Sequence, residues 1–150
     1  MNKYVVTGGA GFIGSAIVRR LLRENTGRVV VLDNLLTGHE KNLDEVRHSI
    51  EFCKADIRDY DAIATVIRGA DVVFHEAAIP SVPRSIADPV PSHDVNINGT
   101  FNVFRAAAAR RGQPEGDHES NRLAGAFGPG LPLGYRGQED GPHRGFHQDR

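Results

Sequence analysis

The run Thr7-Gly8-Gly9-Ala10-Gly11-Phe12-Ile13-Gly14 fits two glycine patterns, G-x-G-x-x-G at Gly9, Gly11 and Gly14 and G-x-x-G-x-x-G at Gly8, Gly11 and Gly14. Both describe a turn that brings bare backbone up to a diphosphate. One glycine permits the tight turn, one removes the Cβ from the phosphate's path, and the last lets a helix pack closely on a strand. The helix that follows offers free N–H groups and the positive end of its dipole. Asp33 stands about 20 residues further on, where an acid at the end of the next strand reaches the adenosine ribose. A carboxylate there accepts from ribose hydroxyls and repels a 2′-phosphate, and no arginine follows it directly. The dinucleotide expected is therefore NAD rather than NADP. His75 and Cys53 are also chemically capable types, but each stands alone on a strand without a metal-ligand partner at a recognised spacing. Both read as packing residues, and no metal site is expected.

These groups need elements to hold them. Lys3–Thr7 reads as a strand, and Gly11–Glu24 as a helix with Ile13, Ala16, Ile17 and Leu21 on its inward face. Val29-Val30-Val31-Leu32, within a strand over Arg28–Asp33, is the unbroken apolar run of a parallel strand covered on both sides. Ile50–Lys54 reads as a weaker strand. Tyr60–Arg68 reads as a short helix capped by Asp59, with Ile63, Val66 and Ile67 inward. Ala70–His75 completes the strands, and His93–Arg110 is a helix with Ile97, Phe101, Phe104 and Ala108 on one stripe. Strands alternating with helices imply an α/β fold, a Rossmann-type doubly wound parallel sheet with right-handed crossovers, incomplete here.

Composition changes near Arg111. Beyond Val103 there is no further Val or Ile, and 112–150 is rich in Gly, Pro, Arg and His with scattered large apolar residues. A stretch that buries so little apolar surface does not offset its ordering entropy. The expected organisation is a nucleotide-binding half-domain over 1–111 and a mostly disordered tail over 112–150. A net charge of -1 gives no electrostatic case for nucleic acid or an anionic membrane surface. The single cysteine points to a reducing compartment, and no segment approaches the roughly 18 apolar residues of a membrane helix. The expectation is a cytoplasmic protein.

Thr7–Ser15, the segment Asp33-Asn34-Leu35-Leu36-Thr37-Gly38, the pair Asp56-Ile57 and the run His75-Glu76-Ala77-Ala78 together resemble the extended short-chain dehydrogenases. Within them the resemblance is to the NAD-dependent nucleotide-sugar epimerases and dehydratases, most of all those of the UDP-glucose 4-epimerase kind, and covers about residues 3–111. It implies that Gly8, Gly11, Phe12, Ile13 and Gly14 hold the diphosphate of NAD. Asp33 and Asn34 would hold the adenosine ribose, with Thr37 and Gly38 beside it. Asp56 would accept from the adenine amino group, with Ile57 along the ring; Asp56 equally suits a cap for the next helix. Ala77, Ala78 and Ile79 would let the backbone approach the inner ribose and nicotinamide, though core packing explains such a run as well. Asn96 matches a helix-borne asparagine that orders the catalytic region in many relatives, or is a solvated residue. Arg84, on the Pro-rich loop Ser81–Ser85, would meet a substrate phosphate in two-pronged fashion or stand exposed. The partners implied are a nucleotide-sugar substrate and, in the full-length relatives, a second subunit.

The resemblance also implies what the family's chemistry requires: a tyrosine base, a lysine four residues later, and a Ser or Thr from a fifth strand. The tyrosines here are Tyr4, Tyr60 and Tyr135, followed four residues later by Gly8, Ala64 and Glu139. Lys3, Lys41 and Lys54 are the only lysines. No catalytic residue is therefore assigned, and the contribution of a positioned base, about 10²–10⁴-fold, is forfeited. The chain is expected to be inactive alone and to be truncated or frame-shifted after about residue 111. Codons for Gly112–His118 read one nucleotide later permit a peptide with Val and Ile, as a fifth strand would have. Resequencing tests that hypothesis; an unshifted frame running to a natural stop removes it.

Overall fold

The computed structural model describes residues 1–109; the expectations for Arg110 and for the tail over 112–150 fall outside them. Lys3–Thr7 (β1) and Arg28–Asp33 (β2) run parallel with Thr7 opposite Leu32. Glu51–Lys54 (β3) flanks β2 with Lys54 opposite Asp33, and Val72–His75 (β4) flanks β1 with His75 opposite Thr7. The order is β3-β2-β1-β4, all parallel. The register brings Thr7, Asp33, Lys54 and His75 to one edge of the sheet. The chain leaves β3 on one side of β1 and returns as β4 on the other, so a crevice opens at that edge where the strand order reverses.

The apolar run of β2 is divided between the two faces, as expected. Val29 and Val31 join Val6, Val18, Leu21 and Leu43 beneath Phe12–Arg23 (α1) and the 3₁₀ turns of Glu40–Ser49. Val30 and Leu32 join Val5, Ile63, Ile67, Val103 and Ala106 beneath Tyr60–Ile67 (α2) and the last helix. Asp59 caps α2 as expected, its carboxylate accepting from the Ala62 amide at 3.1 Å.

Three expectations need correction. The inward stripe of α1 is Gly14, Ser15, Val18 and Leu21, while Ile13 and Ala16 are exposed and Ile17 is half-buried. The cause is Gly14, which must sit against the glycine turn and so rotates the helix. The stripe Ile97, Phe101, Phe104 and Ala108 also faces outward, with Phe101 59% and Phe104 63% exposed. Val95, Gly99, Val103 and Ala106 pack inward instead, because the helix runs so close to Ile57 that a Cβ on Gly99 would stand 2.6 Å from its Cδ1. Finally, the segment Ser81–Ser85, read as a Pro-rich loop, opens a helix, Val82–Ala87 (α3); Pro89–His93 (α4) follows, before a π-helical stretch Asp94–Gly99 and Thr100–Ala108 (α5). Ser81 caps α3 and Asp88 caps α4, each with proline in the first turn.

Candidate functional site

The C-terminal edge of the sheet carries an open cleft. Gly8, Gly11, Asp33, Asn34, Thr37, Gly38, Ile57, Ala77, Ala78 and Ile79, all expected at a cofactor, line it. Leu32, Leu36, Ala55, Glu76 and Val95 also line it and were not anticipated. Their only common signal is position, since each lies beside or one helix away from an expected residue. Phe12, Ile13, Gly14 and Asp56 are not among the lining residues.

The glycines divide the labour much as the spacing suggested. Gly8 turns the chain off β1 at φ +66°, and a Cβ there would lie 2.6 Å from the Ala77 nitrogen. A Cβ on Gly14 would lie 2.2 Å from the Gly8 carbonyl oxygen, so helix and turn interlock. Gly11 differs: its Cβ would meet only that same oxygen, at 3.1 Å, and otherwise open space. Gly8 and Gly38 also line the cleft, but Gly11 is the glycine of the turn whose missing Cβ leaves open space. It begins α1 without a side-chain cap, and the first amide bonded back along the helix is Ser15, to Gly11 at 3.1 Å. The amides of Phe12, Ile13 and Gly14 precede the repeat and have no carbonyl a turn earlier in the helix, which leaves donors and a positive dipole end for an anion. The side chains of Phe12 and Ile13 are exposed.

Asp33 is buried, and each carboxylate oxygen accepts one backbone amide, Ala10 at 2.9 Å and Leu35 at 2.8 Å. Each oxygen keeps a second lone pair for a hydroxyl. The Leu35 contact holds that residue at φ +62°, a left-handed conformation costly for leucine. The carbonyl of Ala10 accepts from Asn42 Nδ2 at 2.8 Å and the His39 amide at 3.1 Å. Asn42, 32 positions away in sequence, gave no signal of this role. Asp56 is committed elsewhere: it accepts from Asn34 Nδ2 at 2.9 Å and from the Arg58 amide and guanidinium at 2.9 to 3.0 Å. The Arg58 hydrogen bonds hold its carboxyl down at about 2. It does not cap α2.

His75 is more than a packing residue. Its Nδ1 lies 2.7 Å from Thr7 Oγ1 and its Nε2 2.9 Å from Thr100 Oγ1. Burial holds its pKa below the ordinary value, against a smaller opposing effect of Glu76. Cys53 is half-buried on β3, its thiol pushed up chiefly by burial. Asn96 is half-buried and held to the cleft wall: it accepts from the Ile79 amide at 2.8 Å and donates to the Ile79 carbonyl at 3.2 Å. Arg84 is exposed on α3. Among the described residues no helix is long and apolar enough to cross a membrane.

The residues present fit a dinucleotide: an uncapped helix start behind a glycine open to the cleft, and a buried carboxylate beside it. Residues 4–116 match the NAD dependent epimerase/dehydratase family. The chain is 45% identical over 106 residues to a UDP-glucose 4-epimerase of Mycolicibacterium smegmatis, covering 69% of this chain and 34% of that protein. Among solved structures it resembles UDP-glucose 4-epimerase of Thermus thermophilus in complex with NAD, at 39% identity and TM-score 0.61, over 69% of this chain and 33% of that one. It also resembles a dTDP-glucose 4,6-dehydratase of Streptomyces venezuelae with NAD bound, at 39% identity and TM-score 0.66, over 70% and 35%. The chain thus spans about a third of the length of these relatives. It belongs to the NAD dependent epimerase/dehydratase family.

Proposed function

We propose that this chain is the NAD-binding portion of a nucleotide-sugar 4-epimerase-like protein, and that by itself it binds NAD without turning over a sugar nucleotide. The observation that carries the binding is the pairing of Gly11, open to the cleft at the uncapped start of α1, with the buried Asp33 carboxylate. The diphosphate lies against the α1 amides, and Asp33, beside Asn34, accepts from the adenosine ribose hydroxyls. Ile57 flanks the adenine, and Ala77, Ala78 and Ile79 form the wall toward the nicotinamide. Bound NAD supplies a hydride acceptor; this chain's own residues bind it, orient it and screen it from water. The lack of turnover rests on the sequence, in which no tyrosine is followed four residues later by lysine. UDP-hexose is the favoured substrate class of the whole protein because of the likeness to UDP-glucose 4-epimerases. The likeness to a 4,6-dehydratase supports a dehydratase or reductase as the second reading.

Calorimetric titration of the purified chain with NAD tests the first half of the proposal. Saturable one-site binding, weaker for NADP, is expected, and no heat of binding at millimolar NAD would refute it. Incubation with UDP-glucose and NAD tests the second half. UDP-galactose formed at a rate proportional to chain concentration would overturn the claim of no turnover.

A further inference from the structure

Beneath the cleft runs a chain of hydrogen bonds that the proposed cofactor contacts do not use. It begins and ends on one wall. The Ala77 amide points to Thr7 Oγ1 at 3.4 Å, Thr7 Oγ1 to His75 Nδ1 at 2.7 Å, and His75 Nε2 to Thr100 Oγ1 at 2.9 Å. Thr100 Oγ1 then donates to the Asn96 carbonyl at 2.8 Å, while the Asn96 side chain grips both backbone groups of Ile79.

The ends of the chain set its direction. The Thr100 hydroxyl spends its one proton on the Asn96 carbonyl, so its oxygen must accept, and Nε2 must carry a proton. In neutral imidazole Nδ1 is then the acceptor of a hydrogen bond donated by the Thr7 hydroxyl. The Thr7 oxygen is left to accept from the Ala77 amide. Every donor meets an acceptor in this order and in no other for a neutral ring. Little slack surrounds it, since Gly8 allows no Cβ between the turn and the Ala77 nitrogen.

We infer that Thr7, His75 and Thr100 form a positioning relay that fixes Ala77–Ile79 against the glycine turn, with His75 held as the neutral Nε2–H tautomer. The relay couples the ends of β1 and β4 to the π-helical stretch, so the two walls of the cleft cannot shift independently. None of the three side chains needs to touch a ligand. The inference takes the proposed NAD site as the thing positioned.

The test uses the full chain. Nitrogen-15 NMR of the imidazole should give the paired signature of the Nε2–H tautomer at neutral pH. Thr100→Val and Thr7→Val keep shape but delete the hydroxyl. Each should speed amide exchange at Ile79 or Ala77 about fivefold and weaken NAD binding about tenfold, while Thr100→Ser and Thr7→Ser restore both within about twofold. An Nδ1–H or doubly protonated ring, or valine variants with unchanged exchange at both amides, would overturn the relay. A wild-type chain that shows the tautomer and the exchange response but no NAD binding would instead sink the cofactor proposal and leave the relay standing.

Discussion

Gly11 and Gly14 belong to one motif, yet their geometry separates two functions that alanine substitution should pull apart. In Gly14→Ala the new methyl would start 2.2 Å from the Gly8 carbonyl oxygen and 2.7 Å from the Gly9 Cα. Both are backbone atoms and cannot swing away. Overpacking of this kind costs about 1–3 kcal/mol, and backbone contacts place it at the upper end. Alanine in a helix returns about 1 kcal/mol relative to glycine. The net loss of about 2 kcal/mol lowers the melting temperature by about 8–16 °C in a domain of this size. In Gly11→Ala the methyl meets one carbonyl oxygen at 3.1 Å and projects into the cleft. Its stability cost is about 1 kcal/mol, that of a poorer N-cap. Its binding cost is larger, because it stands where a phosphate would accept from helix amides. Losing one such charge-assisted bond costs about 1.5–3 kcal/mol, or about 10–100-fold in NAD affinity. Thermal melts with and without NAD, beside calorimetry, read both quantities. Gly11→Ala binding NAD as the unaltered chain does, or Gly14→Ala melting within about 2 °C of it, would refute the division of roles.

Three further outcomes follow from the same geometry. Asp33→Asn keeps one acceptor for two amides and turns a donor toward the second; it should lose about 1–3 kcal/mol of stability, seen in urea melts, and narrow the preference for NAD over NADP, seen by parallel titration. Arg58→Ala removes the main cause of the low Asp56 pKa, which should climb from about 2 toward 3.8 in a carboxyl NMR titration. In the unaltered chain the depressed value means that stability from Asp56 is present above pH 3.8 and lost as pH falls toward 2. His75 also has a depressed pKa in the fold, so the unfolded chain takes its proton first; melts should show stability falling as pH drops below 6.5, and His75→Asn should flatten that part of the profile.

The strands were legible because a parallel strand buried on both faces leaves an unbroken apolar run, and Val29 to Leu32 is one. Helix existence was legible, but helix orientation was not. Periodicity names a stripe without saying which way it points when a helix carries two. Along 94–108, the π-helical stretch and α5, the larger stripe holds Ile97, Phe101 and Phe104, and size alone turns it inward. The space beneath decides otherwise: the helix crosses above Ile57 at a distance only Gly99 tolerates, and Val103 and Ala106 fill what remains. The short helices α3 and α4 were hidden by their prolines, although Ser81 and Asp88 with proline in the first turn are start signals.

The site divides along a similar line. Residues that would meet a dinucleotide through backbone lie in short, ordered motifs, since a turn and the helix after it are contiguous. Residues that hold those motifs in place are not contiguous with them. Asn42 reaches Ala10 across 32 positions, and His75 reaches Thr7 across 68 and Thr100 across 25. A histidine alone on a strand looks like filler because its partners are supplied by strand pairing and by a helix that returns over the sheet edge. Its function is visible only once the register sets Thr7 opposite it. What the linear motif conceals is therefore specific in kind: the cradle is written locally, while the side chains that keep its two walls in one arrangement are written in pairs that only the folded sheet brings together.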